Sequence, residues 1–124
     1  MIETITTRVL YQFLQIKQAG LSVERCLTDM GIKTVMIYGM GYIGDRLITE
    51  LEGTSIKIAG VIDIHADQKD CDHKLFFPED EFPQIDAIII TPIYLFDSLS
   101  EYYKNRGILS ISIEDVFYAM LEAE

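Results

Sequence analysis

Three glycines at positions 39, 41 and 44 form a G-x-G-x-x-G motif between an apolar run and an amphipathic segment. In this setting the first glycine permits a tight turn, the second lets a pyrophosphate approach the backbone, and the third allows a helix to pack closely on a strand. A helix that begins at the motif also offers free N–H groups and a partial positive charge to phosphates. We therefore predict that this loop binds a nucleotide through Gly39, Met40, Gly41, Tyr42, Ile43 and Gly44.

A carboxylate follows the glycine motif at the distance expected for a ribose contact. Asp63 stands 19 residues after Gly44 and ends the next predicted strand. There its oxygens can accept hydrogen bonds from the hydroxyls of an adenosine ribose, and its charge would repel a 2′-phosphate. The sequence thus favours NAD over NADP, and Ile64, the next residue, joins the candidate site. A second interpretation stays open, in which the glycines serve only packing and Asp63 merely ends a strand.

The elements that position these residues follow from hydrophobic periodicity. Apolar residues three to four apart predict two N-terminal helices within residues 1–32, and strand-like runs follow at residues 34–38, 57–63, 86–91 and 108–113. Strands that alternate with helices predict a small Rossmann-like, doubly wound α/β fold in residues 33–124, with a parallel sheet of about four strands in the order 3-2-1-4. Residues 64–84 would be the longest loop and the segment most open to disorder.

Composition restricts the class of protein. The chain has 124 residues, 49% of them hydrophobic, which suits one globular domain. Ten basic against twenty acidic side chains give a net charge of −10, which disfavours nucleic acid as a partner. No apolar run approaches the ~20 residues that span a bilayer, and no leader pattern opens the sequence, so we expect no membrane association and a cytoplasmic location. Cys26 and Cys71 form no paired motif and are expected to be reduced thiols.

Four segments carry a resemblance to a known family, namely VMIYGMGYIGDRLITEL, IAGVIDIHAD, AIIITPIYLFDSL and ISIEDVFYAM. Over nearly the whole chain they resemble small Rossmann-type NAD(P)-binding proteins and domains associated with bacterial capsule and surface-polysaccharide biosynthesis. The resemblance implies nucleotide binding at the glycine motif and Asp63, a contact at Thr91 and Pro92, and a partner such as a glycosyltransferase or a sugar-nucleotide enzyme. It implies no catalytic residue.

Familiar catalytic and metal-binding arrangements are missing from the sequence. No tyrosine has a lysine four residues later, as proton transfer in a sugar-nucleotide epimerase or short-chain dehydrogenase needs, and no residues remain for a substrate domain. The acidic loop holds side chains of metal-ligating type whose spacing matches no compact zinc site. They are His65, Asp67, Asp70, Cys71, Asp72 and His73. We expect no metal. His65 is interpreted first as an exposed loop residue and second as a contact to an adenine or ribose. Tyr94 belongs to an aromatic group that suits core packing first and a ligand crevice second.

Three functions remain open. The first is an accessory module that binds NAD or a sugar nucleotide and acts with an enzyme of polysaccharide biosynthesis. The second is an oxidoreductase or sugar-modifying enzyme completed by another subunit or a second copy, and the third is an interaction domain without a ligand. The ligand itself stays open among NAD, NADP, CoA and a sugar nucleotide. The first helix has a wider apolar face than one side of a small sheet needs, which predicts a twofold homodimer.

Overall fold

The chain folds around one parallel β-sheet with helices on both faces. The computed structural model describes residues 2–123, in which five strands, five α-helices and two short 3₁₀ turns follow one another. In chain order the elements are α1 (Ile2–Gln18), α2 (Val23–Asp29), β1 (Thr34–Tyr38), α3 (Tyr42–Leu51), β2 (Lys57–Ile62), β3 (Leu75–Phe76), β4 (Ala87–Ile90), α4 (Phe96–Lys104), β5 (Ser110–Ser112) and α5 (Ile113–Glu122). The 3₁₀ turns are Ala66–Gln68 and Ile93–Leu95. No helix in this part of the chain is both long and apolar enough to cross a bilayer.

Neighbouring strands of the sheet run parallel, in the order β3-β2-β1-β4-β5. β1 is central, and its last residue, Tyr38, lies opposite Ile62 of β2 and Ile90 of β4, so the three strands end at the same level. β2 and β3 extend the sheet on one side of β1, and β4 and β5 extend it on the other. This is the doubly wound, Rossmann-like arrangement predicted from the sequence, with five strands instead of about four.

The additional strand comes from the segment predicted to be a loop. Leu75 and Phe76 form β3 and pair with Val61 and Ile62 of β2. The segments predicted as the third and fourth strands are therefore β4 and β5. The predicted order placed the segment of β4 beside β2, whereas it pairs with β1, and β3 takes the place beside β2. Two residues are too few to show the alternation by which a strand is recognised in a sequence. The surrounding segment is also polar and acidic, which is typical of a loop.

The chain between β3 and β4 is fixed to α4, where the sequence suggested disorder. The Tyr103 hydroxyl donates a hydrogen bond to the Pro78 carbonyl at 2.8 Å. The Arg106 guanidinium donates to the same carbonyl at 3.0 Å and to the Asp80 carbonyl at 2.6 Å, and it lies over the ring of Phe82. Because these partners come from distant parts of the sequence, local composition does not reveal them.

Alternation along β1 divides the core into two layers. Val35 and Ile37 point to the face covered by α1, α2, α3 and α5, whereas Met36 and Tyr38 point to the face covered by α4 and the segment after β3. The first layer includes fully buried side chains from both N-terminal helices, among them Ile16. The two N-terminal helices therefore share their core with the strands and helices that follow them.

The position of α1 is set by contacts with α5 and α3. The rings of Phe13 and Phe117 stack with centroids 5.3 Å apart. Ion pairs also hold the middle and the last turn of the helix, since Arg8 donates to Glu114 and Lys17 to Glu50, each at 2.8 Å. These contacts bring the first turns of α1 toward the carboxyl edge of the sheet. On the outer side of α1, Tyr11 and Leu14 stay exposed.

Gly60 is the point at which β2 accommodates the ring of Phe76. A Cβ at position 60 would overlap that ring and lie 3.1 Å from Cε of Met36. Strand propensity favours alanine over glycine, yet we expect Gly60→Ala to lower the free energy of unfolding by about 1–3 kcal/mol because the ring must move. Chemical denaturation measures the change. In the Phe76→Leu background the loss should be smaller, and equal losses in both backgrounds would contradict this packing.

Asp86 joins the start of β4 to the start of β1. Its Oδ2 accepts hydrogen bonds from the N–H groups of Lys33 and Thr34 at 2.8 and 3.0 Å, and these bonds hold the pKa of the Asp86 carboxyl below its usual value. Because the pKa of this carboxyl is lower in the folded than in the unfolded protein, its ionised form stabilises the fold at pH values above about 3.9, the pKa of an unfolded aspartate. This stabilisation is lost as the pH falls through the lower pKa of the folded protein. Asp86→Asn should therefore destabilise the protein at neutral pH.

The difference in unfolding free energy between wild type and Asp86→Asn should shrink progressively below about pH 4, where the wild-type carboxyl also becomes neutral. Urea denaturation at a series of pH values measures this difference. A gap between the two proteins that stays constant from neutral to acidic pH would show that the charge of Asp86 does not act in this way.

Candidate functional site

The glycine motif forms the turn between β1 and α3, at the carboxyl edge of the central strand. Tyr38 ends β1, Gly41 is the N-cap of α3, and Gly39 has a φ of +103°, in the region that favours glycine. The Gly39 N–H donates to the Ile62 carbonyl at 2.8 Å, which holds the turn against the end of β2. The turn thus lies where the sheet order reverses, the usual place for ligands in open α/β sheets.

Two of the three glycines are required by packing within the protein. A Cβ at Gly39 would lie 2.6 Å from Oγ1 of Thr91 and 3.0 Å from Cδ of Pro92. A Cβ at Gly44 would overlap the carbonyl oxygen of Gly39, so the first turn of α3 can approach the loop only with glycine at this position. For Gly39 and Gly44, the packing interpretation of the motif is sufficient.

Gly41 is different, because nothing inside the protein needs a glycine there. A Cβ at position 41 would have no heavy atom within 4 Å. The backbone of Gly41, with φ −86° and ψ −163°, is extended and open to any residue. Because Gly41 has no side chain, the space in front of α3 is empty. A bound pyrophosphate needs this space beside the second glycine of the motif.

The first turn of α3 presents backbone donors to the same space. Gly41 has no side chain to cap the helix, and the first N–H group with a backbone acceptor is that of Asp45, which donates to the Gly41 carbonyl at 3.0 Å. Within residues 2–123, the N–H groups of Tyr42, Ile43 and Gly44 have no hydrogen-bond acceptor. Together with the helix dipole, these donors favour an anion in front of the helix.

Asp63 fastens the glycine loop to the end of β2. Its side chain is only 8% exposed, and both carboxylate oxygens accept hydrogen bonds from backbone N–H groups. The Met40 N–H donates to Oδ2 at 2.9 Å, and the His65 N–H donates to Oδ1 at 2.8 Å. Sequence reasoning assigned this carboxylate to a ribose. In the structure its first role is to position the loop, and each oxygen keeps a second lone pair directed elsewhere.

Thr91 and Pro92 form the side of the site that follows β4. The Thr91 hydroxyl donates to the Tyr38 carbonyl at 2.8 Å and is buried, so it fixes β4 against β1 at the edge where the crevice opens. The Pro92 ring covers Gly39. Both residues adjoin the glycine loop, and their observed contacts are structural.

These parts enclose one crevice of about 350 Å³ at the carboxyl edge of the sheet. All the predicted site residues line it except Gly44, which lies behind the loop in the first turn of α3. Six further residues complete the lining, namely Thr6, Tyr38, His65, Lys69, Tyr94 and Leu95. His65 and Tyr94 were candidates from the sequence. The sequence gives no signal for Thr6, whose place depends on how α1 packs, or for Lys69, whose place depends on the turn after β2.

Tyr38 forms part of the crevice wall as a neutral phenol. Burial raises the pKa of Tyr38 above its usual value, and the nearby negative charge of Asp63 raises it further. The phenol is therefore protonated at neutral pH and is not poised to act as a base. No arrangement of a nucleophile and a base is seen among the crevice residues of the described chain.

The loop side chains of metal-ligating type take part in other contacts. Cys71 Sγ donates to the His73 carbonyl at 3.2 Å, and His73 Nε2 lies 3.5 Å from a carboxylate oxygen of Glu52. Among residues 2–123 there is no group of three His, Cys, Asp or Glu side chains that can hold a metal ion. Cys26 is half-buried, and burial raises the pKa of its thiol, which disfavours the reactive thiolate.

Comparison of the chain with protein-family models, with curated proteins and with solved structures finds no match in any of the three. The assignment of a function therefore rests on the geometry of the crevice.

Asp63→Asn tests the role of the carboxylate as a fastener of the loop. An amide offers one acceptor where two N–H groups need partners, so one of the Met40 and His65 N–H groups loses its bond. We expect the free energy of unfolding to fall by about 1–3 kcal/mol. Denaturation measures this loss, and hydrogen exchange should accelerate at the Met40 amide.

The matched control is Asp67→Asn, which makes the same change at an exposed carboxylate in the next turn. It should leave stability nearly unchanged. If the two variants were equally stable, Asp63 would not have the positioning role described above.

Proposed function

We propose that this protein is a nucleotide-binding module in which a pyrophosphate lies against Gly41 and the first turn of α3. The observation that carries the proposal is the open space at Gly41, because packing explains Gly39 and Gly44 but not Gly41. The N–H groups of Tyr42 and Ile43, which line the crevice, would donate to the phosphate oxygens. NAD is the first candidate from the sequence, and a sugar nucleotide shares the same pyrophosphate.

The local field favours this anion although the whole chain is acidic. With a net charge of −10, the protein repels anions at a distance. At the crevice, the partial positive charge of the α3 N-terminus attracts an anion at short distance. The negative charge of Asp63 is partly offset there, because its carboxylate accepts hydrogen bonds from the N–H groups of Met40 and His65. Binding therefore depends on short-range donors, and we expect it to depend only weakly on salt.

The nucleoside would lie between the ends of β2 and β4. Ile64 presents a 63% exposed aliphatic side chain on one side of the crevice, and Pro92 and Tyr94 lie on the other. Apolar walls with few polar groups are typical of sites that hold a base. The second lone pairs of the Asp63 oxygens are available to ribose hydroxyls in this position.

The crevice is large enough for part of a dinucleotide and leaves the rest outside. Its volume of about 350 Å³ is near the lower end of ligand pockets. The end of the ligand beyond the pyrophosphate would pass the exposed rings of Tyr42 and Tyr94, where the described chain supplies no second wall. A module of this kind presents the reactive end of its ligand to a partner, such as an enzyme of sugar-nucleotide or polysaccharide biosynthesis.

A second copy of the chain is one candidate for the missing wall. Thr6 places the start of α1 beside the crevice, and Tyr11 on the same helix is 61% exposed. A homodimer through the outer face of α1 would bury this apolar surface near the ligand. With the missing wall supplied by the second copy, the module could act as an oxidoreductase.

Gly41→Asp separates nucleotide binding from packing by changing stability and affinity in opposite directions. An aspartate at the N-cap accepts from the first turn of α3 and has room for its side chain, so the free protein should gain about 0.3–1 kcal/mol of stability. The same carboxylate occupies and repels the pyrophosphate position. We expect the affinity for ADP and NAD, measured by calorimetry, to fall more than about tenfold.

Gly41→Ala is the control, because it adds a Cβ without a charge and should have an intermediate effect on affinity. A wild-type protein that binds neither ADP nor NAD, or a Gly41→Asp protein that binds them as tightly as wild type, would refute the proposed site.

A further inference from the structure

The geometry points to a second anion subsite in the crevice, in which Lys69 and His65 bind a phosphate carried on the adenosine ribose. The ligand class is then an adenosine with a 2′- or 3′-phosphate, as in NADP or CoA, and not plain NAD. This inference rests on the proposed function, because it assumes that the ribose lies beside Asp63. It reverses the cofactor preference that the sequence suggests for Asp63.

The usual objection to a ribose phosphate at this position is repulsion by the acidic residue that follows β2. Here the Asp63 carboxylate is 8% exposed, and both of its oxygens already accept backbone N–H bonds at 2.8 and 2.9 Å. Those two donors offset much of the negative charge on the side that faces the loop. A phosphate near the ribose therefore meets a weaker repulsion than an unpaired carboxylate would exert.

The turn after β2 brings a lysine back to the crevice. The Ala66 N–H donates to the Asp63 carbonyl at 3.2 Å, and the Gln68 N–H donates to the His65 carbonyl at 2.9 Å. These bonds form the 3₁₀ turn Ala66–Gln68, which ends at Lys69. His65 and Lys69 therefore lie at the two ends of one short turn, and both line the crevice beside Ile64.

Lys69 forms no ion pair with the other described residues. Ion pairs within residues 2–123 engage Arg8, Lys17 and Arg46 instead. Its acidic neighbours in sequence, Asp67 and Asp70, do not line the crevice. In a protein with twice as many acidic as basic side chains, Lys69 is the only lysine or arginine among the described residues that line the crevice, and it lies on the side where the ribose is proposed. A phosphate dianion is the group that this charge and the adjacent imidazole would bind.

The experiment compares AMP with adenosine 2′,5′-bisphosphate and adenosine 3′,5′-bisphosphate by calorimetry, on the wild type and on Lys69→Gln. All three carry a single 5′-phosphate and differ only in the phosphate on the ribose, and ADP is measured separately as the probe of the pyrophosphate site. We expect one of the bisphosphates to bind wild type about tenfold more tightly than AMP. The preference should collapse toward equal affinities in Lys69→Gln. Lys74→Gln is the matched control, because Lys74 lies over the Phe76 ring outside the crevice and should leave the preference intact.

The ligands also identify the source of the phosphate. Tighter binding of the 2′,5′-bisphosphate assigns the NADP class, and tighter binding of the 3′,5′-bisphosphate assigns the CoA class. If ADP binds and neither bisphosphate binds more tightly than AMP, or if Lys69→Gln keeps the preference, the subsite is refuted while the proposed nucleotide site stands. If neither ADP nor any of the other three ligands binds, the proposed function fails and the subsite fails with it.

Discussion

The close approach of α3 to the turn before it is the constraint on which the site depends. Because Gly44 has no Cβ, the first turn of the helix packs directly against the Gly39 carbonyl. That contact aims the N-terminus of α3 along the carboxyl edge of the sheet, where Gly41 leaves the space in front of it empty. A larger residue at position 44 would push the helix away and take the free N–H groups with it. One packing contact thus determines where an anion can bind.

The site also requires that the glycine loop keeps its shape without a ligand. Hydrogen bonds at the ends of three strands hold the loop in place. Asp63 after β2 holds the Met40 N–H, the Ile62 carbonyl holds the Gly39 N–H, and Thr91 after β4 holds the Tyr38 carbonyl. These bonds connect the ends of β1, β2 and β4 at one level. The donors of α3 are therefore arranged before a ligand arrives, which reduces the entropy lost on binding.

The sequence predicted the elements whose signal is local. Continuous apolar runs predicted β1, β2 and β4, and the glycine spacing with Asp63 located the crevice. β3 could not be predicted, because two residues define it and its place depends on the space at Gly60.

The same limit applies to individual side chains of the site. The bond between Asp63 and Met40 joins residues 23 positions apart, and the position of Lys69 depends on a 3₁₀ turn with no distinctive composition. Thr6 reaches the crevice only because α1 docks on α5. The sequence did not predict contacts between residues that are far apart in the chain. For Asp63, these contacts make positioning of the glycine loop its first role, where the sequence suggested a ribose contact.

The central claim is that the first turn of α3 binds a phosphate, and backbone amide resonances test it most directly. During titration with ADP, we predict that the amide signals of Tyr42 and Ile43 shift the most, because their N–H groups gain acceptors. Titration with adenosine, which has no phosphate, should leave these two signals in place. Unchanged α3 signals at saturating ADP, or equal shifts with adenosine, would contradict a phosphate at this helix.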